Sequence, residues 1–296
     1  MKDHQLRALL RVAECGSIRA AARAMNLSQS ALTKALHELE EDVGAELLTR
    51  SYKGIEFTPA GAALLTHARL ALSILDKGAE EVRLLSGSAR SRVVLAVTPM
   101  VGARVLPRVL REYERLRPDA EVQLTEGLLT QILPDLVEGR LDFAIAVANP
   151  DNLPYEVAFE PIGSVEITLA GRTGHPLGTR TTWAELAKAK WIMNLSQGSL
   201  GSALEEWMEQ QHLPRPARLI RCASSMLMLE LMQRTDYIGL GPAALFRDEL
   251  VGHGIQCIEV EPLPPPMPLG LLRLRGIPLS SSAKPMATLL ARYMAD

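Results

Sequence analysis

Ser28, Gln29, Ser30, Thr33 and Lys34 stand at the start of a predicted helix that Ser28 caps. These residue types suit a nucleic-acid duplex. Glutamine pairs bidentately with adenine, lysine meets guanine or a phosphate, and hydroxyls beside the free amides of a helix start suit phosphate oxygens. Gln29 is the first choice for reading a base. Arg19, at the start of the preceding helix, and Arg50 and Lys53, on a predicted hairpin, would hold the backbone on either side. Arg19 and Lys53 also read as solvated surface charges, and Arg50 has a structural salt bridge as a rival role.

A second set of polar residues lies where predicted buried strands open into helices. Thr98, with Pro99 and Met100, follows residues 93–97, and Thr130 lies early in a later helix. Ser196 to Ser199 follow residues 191–193, and Ser224 and Ser225 follow residues 219–222. Free amides at such positions attract anions, so Thr98, Pro99, Met100, Thr130, Ser196 and Ser224 are candidates for holding a small carboxylate or similar anion. The alternative is that each hydroxyl only caps its helix.

Other chemistries find little support. Cys15, Cys222 and Cys257 are odd in number and far apart, which suits neither a disulfide framework nor a zinc site and fits a reducing compartment. Cys222 reads as an unreactive buried thiol rather than a redox sensor. His4, His37, His67, His175, His212 and His253 are scattered, without metal-binding or acid-base company. Neither a phosphate loop nor a nucleophile elbow appears in context, so no enzyme, metal or cofactor is expected. The start of the chain is charged and amphipathic with no apolar signal core, and no stretch suits a membrane span, so the expectation is a cytoplasmic protein.

The elements that must position these residues follow from periodicity. In 296 residues, 47% are apolar, 4% aromatic and 22% charged, which implies two or three compact domains and favours helices over an all-β sandwich. Leu6, Leu9, Leu10 and Ala13 mark one helix, closed by Cys15-Gly16. Ile18, Ala21, Ala22 and Met25 mark a second, behind Ser17, and Leu32, Ala35, Leu36 and Leu39 face inward on the third. Three short helices with a tight turn before the last form a helix-turn-helix pattern. Residues 47–50 and 55–58 read as a hairpin around Tyr52-Lys53-Gly54, and Thr58-Pro59 opens a long helix. On it Leu65, Ala68, Leu72, Leu75, Ala79 and Val82 form a heptad seam, for which a lone helix has no use.

A composition shift near Ser86-Gly87-Ser88 precedes an α/β alternation. Strands are expected near residues 93–97, 122–124, 141–147, 165–170, 191–193, 219–222, 237–240, 256–260 and 269–274, and helices near 102–116, 128–138 and from about 281. The Pro-rich run 262–268 reads either as a crossover between two lobes, with a matching one near Glu160-Pro161-Ile162, or as a rigid loop.

The formal net charge is −2, and residues 1–58 hold eight basic and eight acidic side chains, so DNA binding must depend on arrangement. Glu38, Glu40, Glu41, Asp42 and Glu46 cluster late in the third helix or after it, away from its groove-facing start. A single module with few phosphate contacts binds weakly, which favours a dimer on a dyad-symmetric operator and a steep salt dependence.

The stretches Gly16-Ser17-Ile18-Arg19-Ala20-Ala21-Ala22, Leu27-Ser28-Gln29-Ser30-Ala31-Leu32-Thr33-Lys34, Leu39-Glu40, Gly44, Leu47-Leu48-Thr49-Arg50 and Phe57-Thr58-Pro59-Ala60-Gly61 together resemble the LysR-type transcriptional regulators. Ser30, Thr33 and Leu48 depart from the family's usual Pro, Ser and Phe. Further along, Leu106-Pro107, Arg117-Pro118-Asp119, residues 139–145 and Gly239-Leu240-Gly241-Pro242 keep the family's layout. The resemblance implies an α/β protein with a winged helix-turn-helix over 1–58, a linker and dimerisation helix over 59–88 and a two-lobed, periplasmic-receptor-like effector domain over 92–296. Lobe I would hold about 92–161 and 269–296, and lobe II about 162–268. The partners implied are a double-stranded operator, a small, anionic effector between the lobes, further copies in a homodimer or homotetramer, and RNA polymerase. A solute receptor or an α/β enzyme are the competing readings, and neither explains the groove-reading helix.

Overall fold

The computed structural model describes residues 1–51, 54–86 and 90–295. The chain forms two compact units, one built from its N-terminal segment together with Glu138–Arg140 and one from Arg90–Val137 and Leu141 onward.

The first unit contains α1 (Asp3–Cys15), α2 (Ile18–Ala24), α3 (Gln29–Val43), the antiparallel hairpin β1 (Leu48–Ser51) and β2 (Gly54–Phe57), and α4 (Pro59–Leu85). Local chemistry sets the boundaries. Gly16 closes α1 at φ 69°, a left-handed conformation that glycine adopts without steric cost. Ser17 and Ser28 then cap α2 and α3 by accepting from the amides of Ala20 (3.2 Å) and Ala31 (3.1 Å). Leu9, Val12, Ala21, Ala22, Leu32, Leu36, Leu39 and Leu47 form the core, and the small Ala21 and Ala22 let α2 cross closely. The inner face of α1 is Gln5, Ala8, Leu9 and Val12, with Leu10 and Ala13 only half-buried, so the expected stripe was displaced by one position around the helix. Gln5 tolerates burial because its side chain accepts from Lys2 N–H (2.7 Å) and donates to Glu38 (3.3 Å).

The hairpin is tied to its neighbours by backbone contacts. Glu40 Oε1 accepts from the amides of Leu47 (2.9 Å) and Leu48 (3.3 Å). Thr58 accepts from Gly61 N–H at 2.9 Å and donates to Glu46 O at 2.7 Å. Gly61 lies so near the Leu47 carbonyl that a Cβ there would sit 2.0 Å from its oxygen. Tyr52, Lys53, Gly87 and Ser88, which carry the expected turn and boundary, fall outside the described residues, as does the side chain of Arg50.

The expected seam on α4 divides. Ala68 and Leu72 are buried on the face that packs along α1, and Leu65 packs on the same core. Arg7 of α1 reinforces this contact with a bidentate ion pair to Asp76 (2.7 and 3.2 Å). Only Leu75, Ala79 and Val82 remain exposed. Ala68 and Leu72 are therefore corrected from partner-facing to intrachain positions, because an apolar repeat serves either neighbour equally well.

The second unit has two mixed sheets. The first, in order β4-β3-β5-β12-β6, uses β3 (Arg92–Val97), β4 (Glu121–Glu126), β5 (Phe143–Val147), β6 (Val157–Val165) and β12 (Met267–Leu274). Helices α5 (Pro99–Arg104), α6 (Leu106–Leu116), α7 (Leu129–Val137) and α12 (Ala283–Ala295) accompany it. The second, in order β11-β7-β10-β8-β9, uses β7 (Ile167–Arg172), β8 (Lys190–Met193), β9 (Arg218–Arg221), β10 (Tyr237–Pro242) and β11 (Ile255–Ile258). Its helices are α8 (Trp183–Leu186), α9 (Leu200–Gln210), α10 (Ser225–Arg234) and α11 (Ala243–Phe246). The α/β, two-lobed architecture is the expected one.

One strand assignment differs from expectation. Glu160-Pro161-Ile162 is not a crossover but lies inside β6, and the chain passes between sheets at Glu166. β6 is an edge strand whose register with β12 shifts between Leu269 and Gly270, and such an edge irregularity accommodates Pro161. The return, through the Pro-rich run, does carry the chain from β11 in one sheet to β12 in the other.

Candidate nucleic-acid interface and interlobe cavity

The start of α3 presents Gln29, Ser30, Thr33, Lys34 and His37 on one solvent-facing surface. Ser28, Gln29, Ser30 and Lys34 are exposed and Thr33 is half-buried. The Gln29 amide has no hydrogen-bond partner among the described residues, which leaves both its donor and its acceptor for a base edge. Thr33 Oγ1 donates to Gln29 O at 2.8 Å, so its methyl group is the part left free. Ser28 and Ser30 hydroxyls lie 3.0 Å apart, and Lys34 Nζ stands 3.9 Å from Glu38, a loose exposed pair. Arg19 is exposed, with no ion pair among the described residues.

The acids of α3 lie one turn or more past its start, with Glu38 beside Lys34 (3.9 Å) and Glu40 beside His37 (3.2 Å). Glu38 is engaged by Gln5, Glu40 by the hairpin amides, and Asp42 by the N-terminal ammonium at 2.7 Å, which holds its carboxyl below the usual range. His37 was missed by the sequence reading, although its spacing from Ser30, Thr33 and Lys34 follows the same helical face. Glu40 was also missed as an anchor of the hairpin. No short-range signal marks it, because its partners lie seven and eight residues onward.

In the second unit, a cavity of about 100 Å3 opens between the two lobes. Thr98, Pro99 and Met100 reach it from the β3–α5 junction, and Asn194 and Ser199 from the β8–α9 junction. Met228, Leu229 and Met232 of α10 and Phe246 of α11 supply an apolar wall. Gly239 and Gly241 let this wall close on β10, since a Cβ would meet Met232 Sδ at 2.5 Å and Phe246 Cζ at 2.7 Å, respectively.

Three of the expected contact residues, Thr98, Pro99 and Met100, are in the lining, and Thr130, Ser196 and Ser224 are not. Leu129 and Ser225, each one residue from Thr130 and Ser224, and Ser199, three residues past Ser196 in the loop before α9, line it instead. One residue along a helix turns the side chain by about 100°, so at α7 and α10 the right junctions carry the wrong side chains. Ser224 caps α10 by accepting from Leu227 N–H at 3.3 Å. Ser196 supports Asn194, donating to its Oδ1 from N (2.9 Å) and Oγ (2.7 Å).

Thr98 precedes α5 but makes no side-chain cap bond. Its Oγ1 and the Nδ2 of Asn194 are buried and have no hydrogen-bond partner among the described residues. Buried polar atoms without partners are costly, and these two belong to residues that line the cavity from either lobe. The lining contains no Lys, Arg or His, so no side-chain cation is present there to hold the anion that the hydroxyl clusters suggested.

Among the described residues, no group of three or more His, Cys, Asp or Glu could hold a metal. No helix among them is long and apolar enough to cross a membrane.

A winged helix-turn-helix followed by a two-lobed unit with a cavity between its lobes defines the class of ligand-responsive regulators. Residues 4–62 match the family model for the bacterial regulatory helix-turn-helix protein, lysR family, and residues 86–295 match that for the LysR substrate binding domain. The chain belongs to the LysR family and is a DNA-binding transcriptional regulator. It is 27% identical over 292 residues to the HTH-type transcriptional regulator GbpR of Azospirillum brasilense, covering 96% of this chain and 84% of that protein. Its fold is similar to that of ArgP from Mycobacterium tuberculosis, with a TM-score of 0.70 at 20% identity over 98% of this chain and 96% of the other. The full-length CbnR complexed with its target DNA gives a TM-score of 0.67 at 22% identity, covering 99% of this chain and 100% of that one.

Proposed function

We propose that the exposed start of α3 enters the major groove, with Gln29 reading a base, Thr33 presenting its methyl group and Lys34 meeting a guanine or phosphate. Ser28 and Ser30 meet phosphate, and Arg19, Arg50 and Lys53 hold the backbone on either side. The observation that carries this reading is the unpartnered, solvent-facing Gln29 amide at the N-terminal end of a capped helix. A CbnR structure with a similar fold contains its target DNA, which supports the same use here.

Two copies pair through Leu75, Ala79 and Val82, whose exposure leaves an apolar stripe available to another chain. Pairing of dimers gives a homotetramer that acts on RNA polymerase at the promoter, in the cytoplasm, and the reading calls for no catalysis, metal or cofactor. A small effector in the interlobe cavity favours one lobe arrangement and so changes how the paired DNA heads sit. Footprinting on the DNA beside the protein's own gene tests this. Protection of two half-sites about one or more helical turns apart supports it, and protection of a single asymmetric half-site contradicts the paired arrangement.

A further inference from the structure

The groove-facing surface of α3 extends past the residues already given a role, to His37, an inference that rests on α3 entering the major groove. His37 follows Thr33 and Lys34 on the surface they share with Gln29 and Ser30, and its side chain is 73% exposed. A helix rises about 1.5 Å per residue, so the step from Gln29 to His37 covers about 12 Å along the axis. The major groove is only about 8.5 Å deep. With the first turn of α3 at the base edges, His37 therefore stands at the groove rim, where the phosphates lie.

The ring also has an anion beside it within the protein. His37 Nδ1 stands 3.2 Å from Glu40 Oε2, and Glu40 is held there because its Oε1 accepts from the amides of Leu47 (2.9 Å) and Leu48 (3.3 Å). Among the described residues, Glu40 is the one acid within 4 Å of a His37 nitrogen. The other charged neighbours on α3 are Lys34, Glu38 and Glu41, with Lys34 3.9 Å from Glu38. Against Glu38 and Glu40, α1 presents Gln5 and the hairpin its Leu47 and Leu48 amides, all uncharged.

A neutral imidazole carries one N–H and one lone pair. Between Glu40 at Nδ1 and a phosphate at Nε2, it would turn that lone pair on one of two anions. Only the imidazolium donates to both, and it also covers the Glu40 charge, which would otherwise oppose the DNA backbone.

We propose that His37 takes up a proton from water as α3 enters the groove and holds a backbone phosphate through Nε2–H. The bound form then carries more protons than the free form, so operator affinity rises as pH falls through the usual histidine range, around 6.5.

Fluorescence anisotropy of the full chain on the DNA beside its own gene, at constant salt and at about pH 6 and about pH 8, tests this. The native Kd should rise by roughly fivefold or more from the lower to the higher pH. His37→Gln should bind at both as weakly as the native chain does at the higher pH, and His37→Lys, charged at both, should bind tightly at both. At the lower pH the salt dependence of His37→Gln should be shallower by about one phosphate per half-site, with base preferences unchanged. A base preference altered at one position would make His37 a base reader and overturn the phosphate contact. A pH-independent native Kd, or the native pH dependence kept by His37→Gln, overturns it as well. Gln29→Ala checks the groove reading separately. Weaker binding by Gln29→Ala, together with native behaviour of His37→Gln, overturns the His37 contact alone. Native binding by Gln29→Ala, or a fragment left unbound by the native chain, overturns the groove reading and this contact together.

Discussion

At the scale of single residues, function and stability separate most clearly at Thr98. A threonine that caps a helix contributes about 1 kcal/mol to stability, but Thr98 Oγ1 caps nothing and is buried without a partner. Thr98→Val keeps the side-chain shape and removes an unsatisfied hydroxyl, so the thermal midpoint of the ligand-free protein should stay the same or rise. The same variant should lose the change in operator binding that effector produces. A fall in midpoint with an intact effector response would make Thr98 structural. Sequence could place Thr98 at a strand end, because residues 93–97 are plainly apolar and Pro99 follows. It could not show that Thr98 leaves its helix uncapped, nor that Ser196 works behind Asn194, because both depend on side-chain rotation rather than residue type.

At the scale of elements, the motif around Phe57-Thr58-Pro59-Ala60-Gly61 is a clamp between the hairpin and α4. Thr58 bonds to both Glu46 and Gly61, and the missing Gly61 side chain admits the Leu47 carbonyl. Gly61→Ala should therefore destabilise the first unit by about 1–3 kcal/mol, despite the better helix propensity of alanine, as denaturant unfolding would show. A stabilised variant would refute the clamp. A second clamp joins α6 to α12, where Glu112 accepts from Arg292 at 2.5 Å and from Tyr293 at 2.7 Å. The Arg292 bond first, and Tyr293 after it, hold the Glu112 carboxyl below its ordinary 4.5. A depressed carboxylate contributes stability above its unfolded value and loses it as pH falls through the folded value. The urea midpoint of the native chain should accordingly exceed that of Glu112→Gln near neutrality, and the gap should narrow only below about pH 4.5. A gap independent of pH would assign the effect to packing. Helix starts and buried strands were legible because caps and apolar runs are local signals. The α4 seam was legible only in part, since Leu65, Ala68 and Leu72 carry the same spacing as Leu75, Ala79 and Val82 but are used by α1. Pro161 concealed β6, which tolerates it at a sheet edge.

At the scale of the whole molecule, a net charge of −2 leaves DNA recognition to arrangement. The first turn of α3 is free of acids, while Glu38, Glu40 and Asp42, further along it, also bond to Gln5, the hairpin amides and the Met1 ammonium. The family and the two-lobed plan were legible from motifs spread over the chain, whereas the apolar cavity was not, because Met228, Leu229 and Met232 carry the spacing of ordinary core residues. The central claim is that the α3 face reads sequence in paired copies. It is tested most directly by selecting fragmented genomic DNA on the purified protein, in parallel with Gln29→Ala, and sequencing what is retained. The account predicts a dyad-symmetric motif for the native chain, and for Gln29→Ala a loss of preference at one position in each half-site worth about 1–3 kcal/mol. Retention of fragments without any common motif, or the same motif at equal strength from Gln29→Ala, would contradict it.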